Sequence, residues 1–538
     1  MATTPVQISK LKYYLQGYPD QHGAAQILQG FSEGFKLCYS GPRHATNCPN
    51  LKSLVGLEEQ ASHIINKEIF LGRVAGPFPR PPLPNLRLSP VGLVPKKDGS
   101  FRLIHHLSYP SGSSVNDFID SELCSVNYTS FEVALEMLAK LGNGTLVARL
   151  DIKSAFRLLP IHPSDFDLLG FQIQGKVYID TCLPFGCAIS CAKFEQFSTF
   201  LEWALRVKSG SSNVVHYLDD FLLAGRSETM ECQNLMSCFC SICTDLGVPL
   251  AQDKTVGPTS VLTFLGLEID TIHMTVKIPY DKLNQLKSEL IFILTKNKVT
   301  LSQLQKLTGL LNFCVRAIPS GRAFVRRLYD ATRGLTKPHH RRRVTIEMKK
   351  DIHTWLLFLD FFNGVTSYQL VNWTTDFDLH LFTDSAGCPD LGCGAVFVSH
   401  WAYMLWPQEW KNSSIFKQVT FLELVPIVMA FTIWANQFQG KKIILHTDNK
   451  ALVSILNSKT SKSKQIMHLL RPLVLQGLLH NILFKGVHIE GIKNVKADSL
   501  SRQQWSKFRE SFPEADKHPT EVPITFRQQI SSIDLEHC

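Results

Sequence analysis

Apolar residues recur along the chain in distinct rhythms. Between residues 91 and about 270, short β-rich runs such as TLVARLDI (145–152) and LTFLGLEI (262–269) alternate with helical patterns such as SCAKFEQFSTFLEWAL (190–205). Alternation of the two periods predicts an α+β domain. From about 280 to 330 the helical period takes over. There Thr300 and Gln303 predict a capping box, followed by an apolar stripe of Leu301, Leu304, Leu307 and Leu311. From 376 to 503 the order reads strand, strand, helix, strand, helix. Residues 1–75 read as a helical N-terminal extension, and the Pro-rich GPFPRPPLPNLRLSP (76–90) leads out of it. KPHHRRRVTIEMKK (337–350) reads as a basic linker, a solvated charge run for which phosphate contact is the other reading. The segments expected are therefore 1–75, 76–275, 276–336, 337–375, 376–503 and a polar tail at 504–538.

One interruption of the pattern needs a reason. In VVHYLDDFLLAG (214–225), Asp219 and Asp220 break an apolar run for two positions only. Flanking β-branched and apolar residues predict two strands and a tight turn. For geometry alone Asn-Gly or Asp-Gly would serve better, since the favoured two-residue turns need positive φ. Strand alternation would send the two side chains to opposite faces. A further acid, Asp151, ends the strand-like TLVARLD, so two separated strands can present carboxylates to one point. Nucleotidyl transfer needs this arrangement: two Mg²⁺ ions about 3.5–4 Å apart, bridged by carboxylates, activating a 3′-hydroxyl and steadying pyrophosphate. Four more acids follow in order: Asp384 in LHLFTDSAG, Glu423 in TFLELVPIVMAF, Asp448 in IILHTDNKA and Asp498 in NVKADSLSR. Singly they read as a turn residue, a capping-box partner of Thr420, a helix cap and a helix N-terminal acid. Together they make the cluster that two-metal phosphodiester hydrolysis requires.

Composition narrows the setting. A chain of 538 residues exceeds one ordinary core. With 44% hydrophobic and 19% charged residues it has the balance of a globular protein, and no apolar run of eighteen residues is expected to span a bilayer. The N-terminus lacks the n-region and h-region of a secretory signal, so an intracellular setting, cytoplasm and/or nucleus, is expected. The 14 Cys are scattered through apolar segments and read as reduced core thiols. CFCSIC (238–243) is the tightest cluster but has no second ligand pair for zinc. The net charge of +10 suits a polyanionic partner.

The strings LVPKKDGSFRLIHHLSYP, LDIKSAF, LPFGCAISCAKFEQF, YLDDFLLAG, VPLAQDKT and FLGLEI occur in the order of the fingers and palm motifs of reverse transcriptases. The resemblance implies a right-hand polymerase of fingers, palm and thumb, with Asp151, Asp219 and Asp220 holding Mg²⁺ (or Mn²⁺). It places Lys96 and Arg102 at the incoming triphosphate, Phe156 under its sugar, Lys254 near the nucleotide, and Phe185 and Gly186 in the pocket lining. FLG (264–266) resembles a primer-positioning hairpin, and the stripe after residue 300 resembles a thumb helix in which Gly309 admits a duplex or a close helix. The C-terminal region resembles a ribonuclease H-like α/β domain, which implies Asp384, Glu423, Asp448 and Asp498 as metal ligands and His488 as an aid to metal or product exchange. FRLIHHLSYPSGSSVND and TSKSKQIMHLLRPLVL resemble the DIRS and Ngaro group of tyrosine-recombinase retrotransposons, although IHHL replaces the acidic-aromatic-basic string of many other retroelements. The partners so implied are an RNA template, a DNA primer, an RNA–DNA hybrid and dNTPs, with an element-encoded recombinase and nucleocapsid-like proteins beyond them. A rival is a host-adopted, non-catalytic nucleic-acid-binding protein, which would need Lys and Arg rather than clustered carboxylates. A group II intron or telomerase lineage leaves the C-terminal acids unexplained.

Overall fold

The computed structural model describes residues 2–96, 99–361, 365–367, 373–375, 377–447, 449–480, 482–488 and 494–533, the side chains of 361 and 365–367 excepted. The chain divides into two compact units, Met1–Thr275 and Val276–Cys538, and the whole is a mixed α and β multidomain protein.

In the first unit the central sheet has four strands. They are β3 (Leu146–Asp151), β4 (Val214–Tyr217), β5 (Asp220–Gly225) and β6 (Val256–Thr259), in the antiparallel order β6-β3-β5-β4. Preceding them in the chain is a hairpin of β1 (Val91–Pro95) and β2 (Phe101–His105). Four helices share the core with the central sheet: α1 (Ile8–Tyr14), α2 (Gln21–Glu33), α3 (Ser190–Ser209) and α4 (Glu231–Leu246). Phe194, Phe197, Phe200 and Leu201 of α3 and Phe239 of α4 are fully buried there with Phe221 and Leu223 of β5. Residues 1–75 are thus no appendage in their first half. Leu11 and Leu15 lie in the same core, Tyr18 meets Phe200 and Trp203 edge-on, and the Gln7 N–H donates to the Leu246 carbonyl at 2.8 Å. A second hairpin, β7 (Val261–Phe264) and β8 (Leu267–Asp270), turns on Leu265 and Gly266, both at positive φ (+49° and +82°). That is the backbone a two-residue turn requires.

The second unit opens with α5 (Tyr280–Leu294), β9 (Lys298–Thr300) and α6 (Leu301–Cys314). The Thr300–Gln303 capping box forms in both directions, and Leu301, Leu304, Leu307 and Leu311 are buried. Gly309 is exposed, and a Cβ there would meet nothing within 4 Å, so close helix packing is not its reason. The basic run read as a linker is instead structured, as β10 (Arg341–Arg343), paired antiparallel to β9, and α7 (Ile346–Phe361). Strand pairing across forty residues leaves no local signature in such a run.

The acid-bearing region then builds an antiparallel meander of β11 (Leu381–Ser385), β12 (Gly392–Phe397) and β13 (His400–Leu405). After it come α8 (Val419–Trp434), β14 (Lys442–Thr447), α9 (Lys450–Ser458), α10 (Lys464–Leu479), β15 (Leu483–His488) and α11 (Val495–Ser501), with β14 parallel to β15. The sequence reading of strand, strand, helix, strand, helix omitted β13, β15 and two of the four helices, and β13 was hidden because its turn uses Val398 at φ +55° rather than a Gly. The reading of apolar runs also needs correction. Val419–Phe438 is long and apolar enough by length and composition to cross a membrane, although 67% of its eighteen-residue apolar window is buried inside the protein, as befits a core helix.

Candidate functional site

The first carboxylate group is assembled by strand register. β3 and β5 pair so that Asp151 lies directly opposite Asp220, and directly opposite residues share a face of the sheet. Asp219 is not a strand residue but the second position of the turn between Tyr217 and Asp220. The turn is made by Leu218, which takes φ +53°, a conformation costly for a branched side chain. Two bonds hold it there. Leu218 N–H donates to Glu195 Oε2 at 3.2 Å, and Ile152 N–H donates to the Asp219 carbonyl at 2.9 Å, stitching the turn to the strand that carries Asp151.

Burial and the neighbouring Asp151 and Asp220 push the Asp219 carboxyl up to about 6. Asp220 is raised by burial as well, with Arg149 opposing the shift. Crowded, half-buried oxygens of like charge are a donor set suited to a hard divalent cation. In this state side-chain cations hold two of the three carboxylates. Lys254 Nζ lies 2.9 and 3.0 Å from the two oxygens of Asp151, and Arg149 Nε lies 2.7 Å from Asp220 Oδ1. Among the described residues no three His, Cys, Asp or Glu side chains already converge as a ligand cage. Lys254 was expected near the nucleotide, and the structure places it on Asp151. Arg149 was missed. Its signal was available, since positions 149 and 151 of one strand share a face. Arg149 also donates to the Thr263 carbonyl at 2.9 Å, tying β7 to this site.

An aromatic floor adjoins these elements in the chain. The Phe156 ring lies 5.4 Å from Phe185 and 5.6 Å from Phe194, centroid to centroid, and the Arg102 guanidinium stacks 4.7 Å over Phe185. Gly186 has φ +114°, and a Cβ on it would stand 2.1 Å from the His105 carbonyl oxygen, so only glycine fits. His105 N–H in turn donates to the Phe185 carbonyl at 3.1 Å. Arg102, Phe156, Phe185 and Gly186 thus form one cluster. Lys96 is exposed at the end of β1, its N–H donating to the Ser100 carbonyl at 2.7 Å.

Beneath the Asp219 turn, His216 is buried between two carboxylates of α3. Its Nδ1 bonds Glu202, and its Nε2 is 3.2 Å from Glu195 Oε1. These bonds outweigh burial and raise the imidazole to about 9. Sequence reasoning overlooked it, although Glu195 and Glu202, seven residues apart in an apolar helix, fall on one face.

In the second unit Asp384 lies within β11, not in a turn, and accepts from Ser501 Oγ of α11 at 2.5 Å. Asp498, in the first turn of α11, pairs with Arg502 at 2.6 Å. Asp498 and, more weakly, Asp384 raise the Arg502 guanidinium, placing both acids in one electrostatic neighbourhood. Glu423 forms no capping box. The residue before α8 is Gln418, and Thr420 bonds Asn449 instead. Glu423 Oε2 accepts from Thr447 Oγ1 at 3.0 Å, and Thr447 stands in register with His488 across β14 and β15. Asp448 lies outside the described residues, and Asn449 caps α9.

Residues 94–269 match the family model described as reverse transcriptase (RNA-dependent DNA polymerase). The chain is 25% identical over 232 residues to the Transposon Tf2-3 polyprotein of Schizosaccharomyces pombe (strain 972 / ATCC 24843), covering 43% of this chain and 16% of that protein. The Tf2-7 polyprotein of the same organism matches at 25% over 231 residues with the same coverage. The chain therefore spans less than a fifth of these relatives' length. Among solved structures, foamy viral protease-reverse transcriptase in complex with dsDNA aligns with TM-score 0.48 at 14% identity over 91% of this chain and 99% of that one. The complex with RNA/DNA hybrid aligns with TM-score 0.47 at 15% identity over 97% and 67%. The segment that carries Asp151, Asp219, Asp220 and Lys254 is thus similar to reverse transcriptase domains, and the chain to transposon polyproteins.

Proposed function

We propose that the chain is an RNA-directed DNA polymerase of a retroelement, of the DIRS and Ngaro kind, which also degrades the RNA strand of the hybrid it makes. The observation that carries this is the register of Asp151 opposite Asp220 with Asp219 in the adjoining turn. A binder of nucleic acid gains nothing from three crowded acids.

Asp151, Asp219 and Asp220 would hold Mg²⁺, which supplies a more acidic 3′-hydroxyl and neutralises charge on the leaving pyrophosphate. The chain's own residues do the rest. Arg149 and Lys254 keep the carboxylates from repelling one another before substrate arrives, and release of Lys254 would free a cation for phosphate. Arg102, stacked on Phe185, and the exposed Lys96 would take the triphosphate. Phe156, packed on one side by Phe185 and Phe194, would offer its remaining surface to the sugar and exclude a 2′-hydroxyl. In the second unit Asp384, Glu423, Asp448 and Asp498 would hold the ions for hydrolysis, with His488 beside them.

Primer extension on poly-rA/oligo-dT with Mg²⁺ tests the reading. The wild-type chain extends the primer, and Asp219→Asn, which keeps shape but removes a charge, abolishes extension with an unchanged thermal melt. Wild-type rates in that variant would remove Asp219 from the metal site.

A further inference from the structure

The ribbon of β9 and β10 carries an arrangement that stability alone disfavours. Its register pairs Lys298 with Arg343, Val299 with Arg342 and Thr300 with Arg341. Opposed residues share a face, and so do alternate positions along each strand. One face therefore displays Lys298, Arg341 and Arg343, all exposed, while Val299 on the other is buried. Lys298 and Arg343 are like charges directly opposite, a destabilising pair in a sheet. None of the three makes an ion pair with a described residue. Other cations of this unit do: Lys306 with Glu289, Lys287 with Asp360, Lys350 with Glu347, and Arg327 with Asp351.

The face is also held rigidly. Leu301 N–H donates to the His340 carbonyl at 2.8 Å, Ser302 N–H to the Pro338 carbonyl at 3.1 Å, and Val344 N–H to the Asn297 carbonyl at 2.9 Å. Arg342 is consumed structurally, its guanidinium bonding the carbonyls of Ala331 and Arg333. Three unpaired cations are thus preorganised on a short, stiff ribbon, which lowers the ordering cost of binding. Arg341 and Arg343 are two strand positions, about 7 Å, apart, a step suited to successive phosphates of one strand. None of the six ribbon residues, Lys298–Thr300 and Arg341–Arg343, is aromatic, so the ribbon itself offers no stacking platform of the kind single-strand binders use.

We propose that this ribbon face is a sequence-independent docking site for the phosphate backbone of double-stranded nucleic acid, the RNA–DNA hybrid in particular. It rests on the reading that the chain works on nucleic acid, and adds a contact remote in sequence from either acid cluster. The test measures hybrid affinity against salt by fluorescence anisotropy, using the full chain. Each phosphate neutralised contributes about 0.9 to the slope of log K against log[salt]. The triple variant Lys298→Gln, Arg341→Gln, Arg343→Gln should reduce that slope by about 2 to 3, equally for unrelated sequences, with an unchanged melt.

A second variant, Lys298→Glu, replaces a repulsive pair by an attractive one with Arg343. It should raise the melting temperature while weakening the hybrid, an opposition that a structural role would not give. An unchanged slope in the triple variant, or Lys298→Glu lowering the melting temperature, overturns the proposal. Running Asp219→Asn alongside separates the two readings. Lost synthesis with the wild-type salt slope leaves the ribbon to be judged on binding alone, and a polymerase that fails to extend at all would not alter that judgement.

Discussion

At Phe156 plain packing and the proposed contact with a sugar make different predictions. Its ring contacts Phe185 and Phe194 yet is only partly buried. Cutting it to Ala removes the surface that would meet a 2′-hydroxyl. We expect discrimination between deoxy- and ribonucleotides to fall about tenfold, equivalent to roughly 1.4 kcal/mol, measured as the ratio of kcat/KM for dATP and ATP. Unchanged selectivity with a lowered melting temperature would assign the ring to packing alone. LDIKSAF singled out Phe156, but the rings around it were not legible, because which aromatic rings meet depends on contacts between segments thirty residues apart. Gly186 is a similar case. LPFG suggested a pocket, and only the backbone showed the reason for glycine, the His105 carbonyl standing where a Cβ would go.

At the scale of elements, the chain declared its strands more clearly than their register. VVHYLDD and TLVARLD were each visible as apolar runs ending in acids, whereas the pairing of Asp151 with Asp220 required β3 and β5, and the burial of His216 between Glu195 and Glu202 required β4 and α3, to be assembled. That buried triad makes a prediction with a definite sign. His216 is raised from 6.5 to about 9, so its bonds stabilise the fold fully below pH 6.5, and the contribution is lost as pH rises through 9. The groups facing it are Glu195, Glu202 and, stacked on the ring, Phe221, with Arg206 bonded to Glu202. In chemical denaturation from pH 6 to 9.5, the wild type should lose up to roughly 3 kcal/mol relative to His216→Gln. A constant difference across that range would mean that folding leaves the imidazole's affinity for its proton unchanged, and a relative gain in wild-type stability as pH rises would mean that the folded imidazole is neutral. The basic run at 341–343 was illegible for the opposite reason. Charge suggested solvent, and only a partner strand more than forty residues upstream made it a ribbon.

At the scale of the whole molecule, the predicted acids divide between the two compact units, Asp151, Asp219 and Asp220 in Met1–Thr275 and Asp384, Glu423 and Asp498 in Val276–Cys538. If each group serves its own reaction, one can be disabled without the other, and Glu423→Gln is the cleanest probe. The carboxylate accepts a hydrogen bond from Thr447, and a Gln carbonyl oxygen can accept the same bond, so the local fold persists while one negative charge is lost. The capping-box alternative no longer competes, because Thr420 is engaged with Asn449. Cleavage of RNA in a hybrid should therefore fall on the order of a hundredfold, the scale typical of removing one electrostatic contributor from an active site. Primer extension by the same purified preparation should continue at the wild-type rate, and the melt should stay within error. Retained cleavage would defeat the ligand role of Glu423. Joint loss of both activities with a normal melt would defeat the separation of the sites, since it would require one charge in the second unit to govern chemistry at acids of the first.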